Sequence, residues 1–197
     1  KLSVEMLNNL NPSFVLDLTA TPRKNSNIIS YVDARDLKRE HMVKLPVVVY
    51  NRTTRQSVIQ DAIQLRKSIE TEAIAAEEAG GKYIRPIVLF QAQPRTGDNS
   101  DTFDKIKTML VNMGVSEEEI AIKTSNVDDL KGKDLTSRDC KIRYIITVNA
   151  LKEGWDCPFA YILASLANRT STVDVEQILG RILRQPYAME HKSPLLN

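Results

Sequence analysis

The sequence predicts an α/β fold with a mainly parallel sheet, and three observations lead to this prediction. Six short runs are apolar without alternation, as expected of strands that are covered on both faces. Helical stretches separate several of these runs, and that order favours parallel strands joined by crossovers. A content of 42% hydrophobic and 26% charged residues is ordinary for a globular domain. The predicted strands are Phe14–Leu18, Pro46–Tyr50, Ile87–Phe90, Ile120–Ile122, Tyr144–Val148 and Tyr161–Leu163.

Three helices are predicted between and after the strands. The longest covers Gln56–Ala79 and ends at two glycines, a residue type that readily closes a helix. The others cover Asp101–Met113 and Val173–Arg184. The loop Gln93–Ser100 directly follows a predicted strand, and ligands of open α/β sheets bind at such carboxyl ends. We therefore expect this loop at the rim of a site.

The composition excludes several kinds of site. A net charge of +2 means that a nucleic-acid site must be a local patch. Cys140 and Cys157 lack metal or redox spacing and are expected to be partly buried thiols, and His41 and His191 are too isolated for zinc. No apolar run approaches the roughly 18 residues of a membrane span. We expect a cytoplasmic chain with neither a metal site nor membrane contact. The sequence starts at Lys1 with neither an initiator Met nor a signal-peptide core, so we also expect the chain to be a piece of a longer protein.

The helix predicted at Val173–Arg184 carries the strongest functional signal. Its polar positions Gln177, Arg181 and Arg184 fall on one face, opposite an apolar stripe. This pattern alone fits an amphipathic helix with a solvated face. Gly180 favours a site, because glycine costs a helix about 1 kcal/mol relative to alanine and allows a close approach. Two arginines one turn apart present planar forks to phosphate oxygens. The stripe consists of Val175, Ile178, Leu179, Ile182 and Leu183.

Four segments resemble motifs of superfamily 2 helicases, in that family's order. Gln177–Arg184 matches its Q-x-x-G-R-x-x-R signature, motif VI. Leu18–Pro22 resembles motif III, Pro86–Gln91 resembles motif IV, and Thr147–Pro158, which contains Glu-Gly-Trp-Asp, resembles motif V. The resemblance covers nearly the whole chain. It is closest to the restriction subunit of type III restriction enzymes and to their DEAD/DEAH-like relatives.

The resemblance implies a RecA-like fold, the three-layer α/β fold of P-loop NTPases. Residues 1–30 would be the C-terminal end of the first RecA-like domain, with motif III and the linker. Residues 31–197 would be the second RecA-like domain, with motifs IV, V and VI. Each motif also has a purely structural interpretation: Phe90 is expected in the core, Gly154 in a turn and Asp156 at a local cap.

The resemblance also implies a role for eleven residues. Arg181 and Arg184 would be arginine fingers that reach the γ-phosphate of ATP and catalyse its hydrolysis. Thr19 and Thr21 would couple the two domains. The residues of the nucleotide interface would be Gln177, Gly180, Gly154 and Asp156, with Asp156 on the ribose. The contacts to nucleic-acid phosphates would be Thr147, Gln91 and Arg95.

The phosphate loop and magnesium site of a motor are missing from this sequence. Gly81-Lys82 is followed by Tyr83 and Gly132-Lys133 by Asp134, so no Walker A motif ends in Ser or Thr. No apolar strand ends in the Asp-Glu pair of a Walker B site. In the family, both lie on the first RecA-like domain. That missing domain would bind ATP and Mg²⁺, and this chain alone should bind neither tightly.

These observations predict a fragment of an ATP-dependent DNA helicase or translocase, the restriction subunit of a type III restriction-modification system. Its expected partners are DNA, the missing first RecA-like domain and a methyltransferase subunit, and the parent would also carry the endonuclease. Two alternatives stay open. One is an RNA helicase or another superfamily 2 translocase, and the other is a non-catalytic α/β interaction module.

Overall fold

A computed structural model describes residues 6, 9–19, 22, 27–93, 102–148, 156–166, 179–180 and 182–197. The chain divides into two compact units, Lys1–Asp33 and Ala34–Asn197. The helices of the second unit are α1 (Ala34–Arg39), α2 (Arg55–Glu78) and α3 (Phe103–Asn112). Its strands are β1 (Ile87–Gln91), β2 (Ile120–Lys123), β3 (Tyr144–Thr147) and β4 (Ala160–Ser165). Short 3-10 turns lie at Glu117–Glu119, Pro186–Ala188 and Pro194–Leu196.

The four strands of the second unit form one parallel sheet in the order β2-β3-β1-β4. This confirms the predicted α/β class and the predicted parallel pairing. β1 is central and every one of its residues is buried, which explains its unbroken apolar run. Phe90 lies in the core and stacks beside Tyr144, as its structural interpretation predicted.

Helix α2 forms where the sequence predicts it. Thr54 caps its first turn by accepting a hydrogen bond from the backbone N–H of Ser57 at 3.2 Å. The chain leaves the helix at Gly80, whose φ of +86° suits glycine. Six residues at helical spacing are buried, so one face of α2 packs on β1 and β4. They are Ile59, Ala62, Ile63, Arg66, Ile69 and Ala73.

Two predicted strands are wrong. Phe14–Leu18 and Pro46–Tyr50 belong to no strand of the structure. Their apolar side chains are exposed; Phe14 is 74% and Val49 is 84% accessible. β-Branched and aromatic residues favour extended backbone, but a strand exists only where a neighbour accepts its hydrogen bonds. Within the described residues, neither segment has such a neighbour.

Helix α1 was not predicted, whereas the other two described helices agree with the sequence within two residues. Of the predicted helix Val173–Arg184, the structure describes Leu179 and Gly180 as helical and places Ile182 at the last helical position. The first unit has exposed apolar side chains at Ile28 and Ile29. Among the described helices, none combines the length and the apolar character that a bilayer crossing requires.

Candidate functional site

The structure brings together two predicted site residues that lie far apart in sequence. The Arg184 guanidinium donates a hydrogen bond from Nη1 to Oδ2 of Asp156 and forms an ion pair with it. Both side chains reach solvent, with 62% and 38% of their surface accessible. The helicase resemblance implies a different role for each residue, Arg184 at the γ-phosphate and Asp156 at the ribose. Their side chains lie side by side. We call residues 182–185 the arginine segment and residues 156–160 the aspartate turn.

Backbone pairing with the chain after α1 positions the arginine segment. Val43 and Arg184 form an antiparallel bridge. The N–H of Gln185 donates to the carbonyl of Met42 at 2.9 Å. The buried side chain of Gln185 donates to the carbonyl of Leu196 at 3.1 Å, which anchors the segment on its inner side. Arg184 is consequently exposed beside the buried Gln185, and a β-bridge holds it there instead of the predicted helix.

A tight turn before β4 positions Asp156. The N–H of Ala160 donates to the carbonyl of Cys157 at 3.0 Å, and the carbonyl of Phe159 accepts from the N–H of Ile87 at 2.8 Å. Cys157 is buried, and this burial raises the pKa of its thiol to about 11. The thiol is therefore protonated and is a packing residue rather than a nucleophile. Asp156 thus lies at the amino-terminal end of β4.

Lys44 lies behind the pair and was missed by sequence reasoning. It is only 7% accessible, and its Nζ lies 4.1 Å from the centre of the Tyr161 ring. The ammonium donates hydrogen bonds to the carbonyl oxygens of Pro158 at 2.9 Å and Ala160 at 2.6 Å. Burial lowers its pKa to about 7, although the charge of Asp156 and the thiol group of Cys157 oppose that shift. A lone lysine two residues before a proline looks like a surface residue in sequence, and no local pattern shows its burial.

A second group of predicted residues lies at the opposite, carboxyl-terminal edge of the sheet. Gln91 ends β1 in register with Thr147 at the end of β3 and Ser165 at the end of β4. The Ser165 hydroxyl and Gln91 Oε1 are 3.0 Å apart. Thr147 is 3% and Gln91 is 2% accessible, so both side chains are enclosed. The sequence predicted the first two residues, and Ser165 could have been found because it also ends an apolar run.

The remaining predicted site residues are either exposed or outside the described residues. Thr19 is exposed within the first unit. Gly180 is exposed, and a Cβ built there would meet no atom of the described chain within 4 Å. Its predicted close approach is therefore not made by the described residues themselves. Five predicted residues lie outside the described residues: Arg181, Gln177, Gly154, Arg95 and Thr21.

An open cleft of about 380 Å³ lies near the amino-terminal ends of β2 and β3. It is lined by side chains of both charges, including Glu118, Lys133 and Asp139. It contains none of the predicted site residues. In the described part of the chain, no cluster of His, Cys, Asp and Glu is arranged to hold a metal ion.

Comparison of the chain with models of protein families, with curated proteins and with solved structures gives no match. The case for a function therefore depends on the motif residues and on the geometry around them.

Proposed function

We propose that this chain is the second, RecA-like motor domain of an ATP-dependent DNA translocase, as in the restriction subunit of a type III restriction enzyme. The observation that carries the proposal is the contact between Arg184 and Asp156, which are 28 residues apart. The helicase resemblance assigns both residues to one nucleotide. Arg184 and Asp156 belong to separate segments, and an unrelated fold has no reason to pair these two motif residues.

The exposed Arg184–Asp156 ion pair is compatible with an arginine finger that must move to reach a nucleotide. Exposed pairs contribute only about 0.2–1 kcal/mol, so Arg184 can leave Asp156 at little cost. A γ-phosphate develops spread negative charge as its bond breaks, and a guanidinium that binds two oxygens stabilises it. Asp156 would then be able to accept hydrogen bonds from ribose hydroxyls. A first domain outside this chain would supply the phosphate loop and Mg²⁺.

The second group suits contact with a nucleic-acid backbone. Thr147 and Gln91 lie at the carboxyl-terminal edge, away from the arginine segment, so nucleotide and nucleic acid would be held at different places. Both side chains are enclosed, and neighbouring groups must move before a phosphate can reach them. Contacts of this kind set position without reading sequence.

The proposal is tested by ATP hydrolysis in the longer parent. Arg184→Ala should lower kcat by at least about 10³-fold, as loss of an arginine finger does, while DNA binding stays near normal. Arg39→Ala is the matched control, because Arg39 is exposed and pairs with Asp36 far from the arginine segment in sequence. This control should retain the wild-type kcat. The chain on its own should match the buffer blank.

Two results would contradict the proposal. Turnover by the repurified chain alone would show that it holds a complete ATP site. An Arg184→Ala parent within about threefold of wild-type kcat would leave no finger role for Arg184 and would favour a non-catalytic interaction module. Stimulation of ATP hydrolysis by RNA in place of DNA would support a motor domain that acts on RNA.

A further inference from the structure

We propose that Lys44 is a positioning residue that holds the arginine segment against the aspartate turn. The inference rests on the proposed function only for the importance of the Arg184–Asp156 contact. Neither the motif resemblance nor the sequence pattern pointed to Lys44.

Lys44 bonds to both segments at once. Its backbone N–H donates to the carbonyl of Leu183, in the arginine segment, at 2.6 Å. Its ammonium donates to the carbonyls of Pro158 and Ala160, in the aspartate turn, at 2.9 and 2.6 Å. One residue therefore connects the two segments through three hydrogen bonds. Since each segment carries one member of the ion pair, Lys44 sets the distance between those members.

The chemistry of the position favours a role for the ammonium itself. Burying a charged group is costly, and in the described part of the chain Lys44 forms no ion pair that would offset this cost. A methionine has a similar length and could occupy the space without a charge. What lysine adds is a set of N–H donors directed at two carbonyls, strengthened by its charge and by the Tyr161 ring.

A purely electrostatic role for Lys44 predicts the opposite effect on the Arg184–Asp156 pair from a positioning role. The groups that face the ammonium are Cys157, Asp156 and the ring of Tyr161, and Arg184 approaches Asp156 from the arginine segment. Lys44 and Arg184 are both attracted to Asp156. If Lys44 acted only through its charge, removing it would tighten the Arg184 pair. If Lys44 positions the two segments, removing it loosens the pair.

The test measures the order of the Arg184 side chain in this chain by ¹³C relaxation at Cδ. In Lys44→Met the order parameter should fall from the ordered range to below about 0.6. Lys44→Arg keeps the charge and the donors and should stay ordered. Lys82→Met, at an exposed lysine, is the matched control and should equal wild type. An Arg184 that is equally or more ordered in Lys44→Met overturns the proposal.

A titration of the wild-type chain keeps the proposal testable if Lys44→Met does not fold. The pKa of Lys44 is about 7, so raising the pH from 6 to about 8.5 removes the charge that strengthens both carbonyl bonds. The Arg184 order parameter should fall across this range and should not fall in Lys44→Arg. An Arg184 order parameter that rises with pH in wild type is the result expected of a charge acting alone, and it overturns the proposal.

The parent's ATPase separates this inference from the proposed function. Lys44→Met should lower kcat by about 10²-fold, as misplacement of a catalytic group does, and Lys44→Arg should restore it. A parent without any ATPase activity would contradict the proposed function. The order parameter of the Arg184 side chain tests the role of Lys44 separately.

Discussion

Gly180 offers a single-atom test of whether the helical residues before the arginine segment face a ligand. A Cβ at this position would meet no atom of the described chain within 4 Å. Alanine is better than glycine inside a helix by up to about 1 kcal/mol. We therefore expect Gly180→Ala to raise the free energy of unfolding by up to that amount, measured by urea denaturation. In the parent it should lower ATP hydrolysis at least about tenfold, because the added methyl group would obstruct the bound nucleotide.

Gly81→Ala is the contrasting control for this prediction. Its Cβ would lie 2.6 Å from the carbonyl oxygen of Ala76, so this variant should lose stability instead. Full ATPase activity in Gly180→Ala would show that nothing approaches the glycine, and that Gly180 is an ordinary helical residue.

Arg184 and Lys44 show which site residues a sequence pattern can reveal. The sequence predicted Arg184 on the polar face of a helix, but the helix ends at Ile182 and Arg184 is exposed in a β-bridge with Val43. Lys44 belongs to no periodic segment, and its burial arises because residues 42–44 pair with the arginine segment. That pairing joins positions about 140 residues apart, which no local pattern encodes.

At the scale of elements, an ionic network fastens α2 to the sheet. Arg66 is buried and donates to the Tyr144 hydroxyl at 2.9 Å and to Glu70 at 2.6 Å. Arg143 donates to the other oxygen of Glu70 at 2.9 Å and to Glu119 at 3.2 Å. Glu70 thus bridges two arginines from different elements. Burial pushes the pKa of Glu70 upward, but the hydrogen bonds and charges of both arginines bring it below its usual value.

This network predicts a pH-dependent effect of Glu70→Gln. Because the pKa of Glu70 is lower in the folded than in the unfolded chain, its stabilisation is complete above the unfolded pKa. It is lost as the pH falls through the folded pKa. At pH 7, Glu70→Gln should reduce the free energy of unfolding by roughly 2 kcal/mol, as for charge-assisted hydrogen bonds. Denaturation in urea from pH 7 to 3 should show this difference shrinking.

The exposed Glu78, on the same helix, provides the matched control. Glu78→Gln should change stability little at either pH. A Glu70→Gln penalty that stays constant down to pH 3 would mean that the charge of Glu70 does not contribute.

The elements also mark where sequence prediction succeeds. β1, β2, β3 and β4 were predicted within two residues because each is an apolar run that the fold covers. Pro46–Tyr50 has the same composition without being paired. Local composition favours a strand, but only hydrogen bonds to a neighbouring strand make a segment part of a sheet.

At the scale of the whole molecule, exposed apolar side chains predict self-association. Phe14, Leu16 and Leu18 in the first unit are 74%, 58% and 87% accessible. Extended apolar backbone without a partner strand invites pairing with another chain. We expect light scattering to show a mass that increases with protein concentration. Deletion of residues 1–20 should leave a monomer over the same range.

A substitution in the second unit controls for the other exposed apolar segment. Val48→Thr combined with Val49→Thr keeps β-branched residues at positions that are 64% and 84% accessible and lowers their hydrophobicity. If self-association persists after the deletion but is lost in this double variant, the second unit is responsible for it. In either case the measured mass gives the association state of this chain and not that of a longer parent.

The amino-acid sequence was sufficient to predict the α/β class, the long helix α2 and the core strands. These depend on residue periodicity and on nearest neighbours, which a linear chain displays directly. The tertiary structure was needed to show that Arg184 pairs with Asp156, 28 residues away, that Lys44 is buried, and that Pro46–Tyr50 belongs to no described strand. The physical reason is that burial and hydrogen-bond partners are properties of the surroundings. Distant segments supply those surroundings, so the same lysine or valine run can occur at the surface or in the interior.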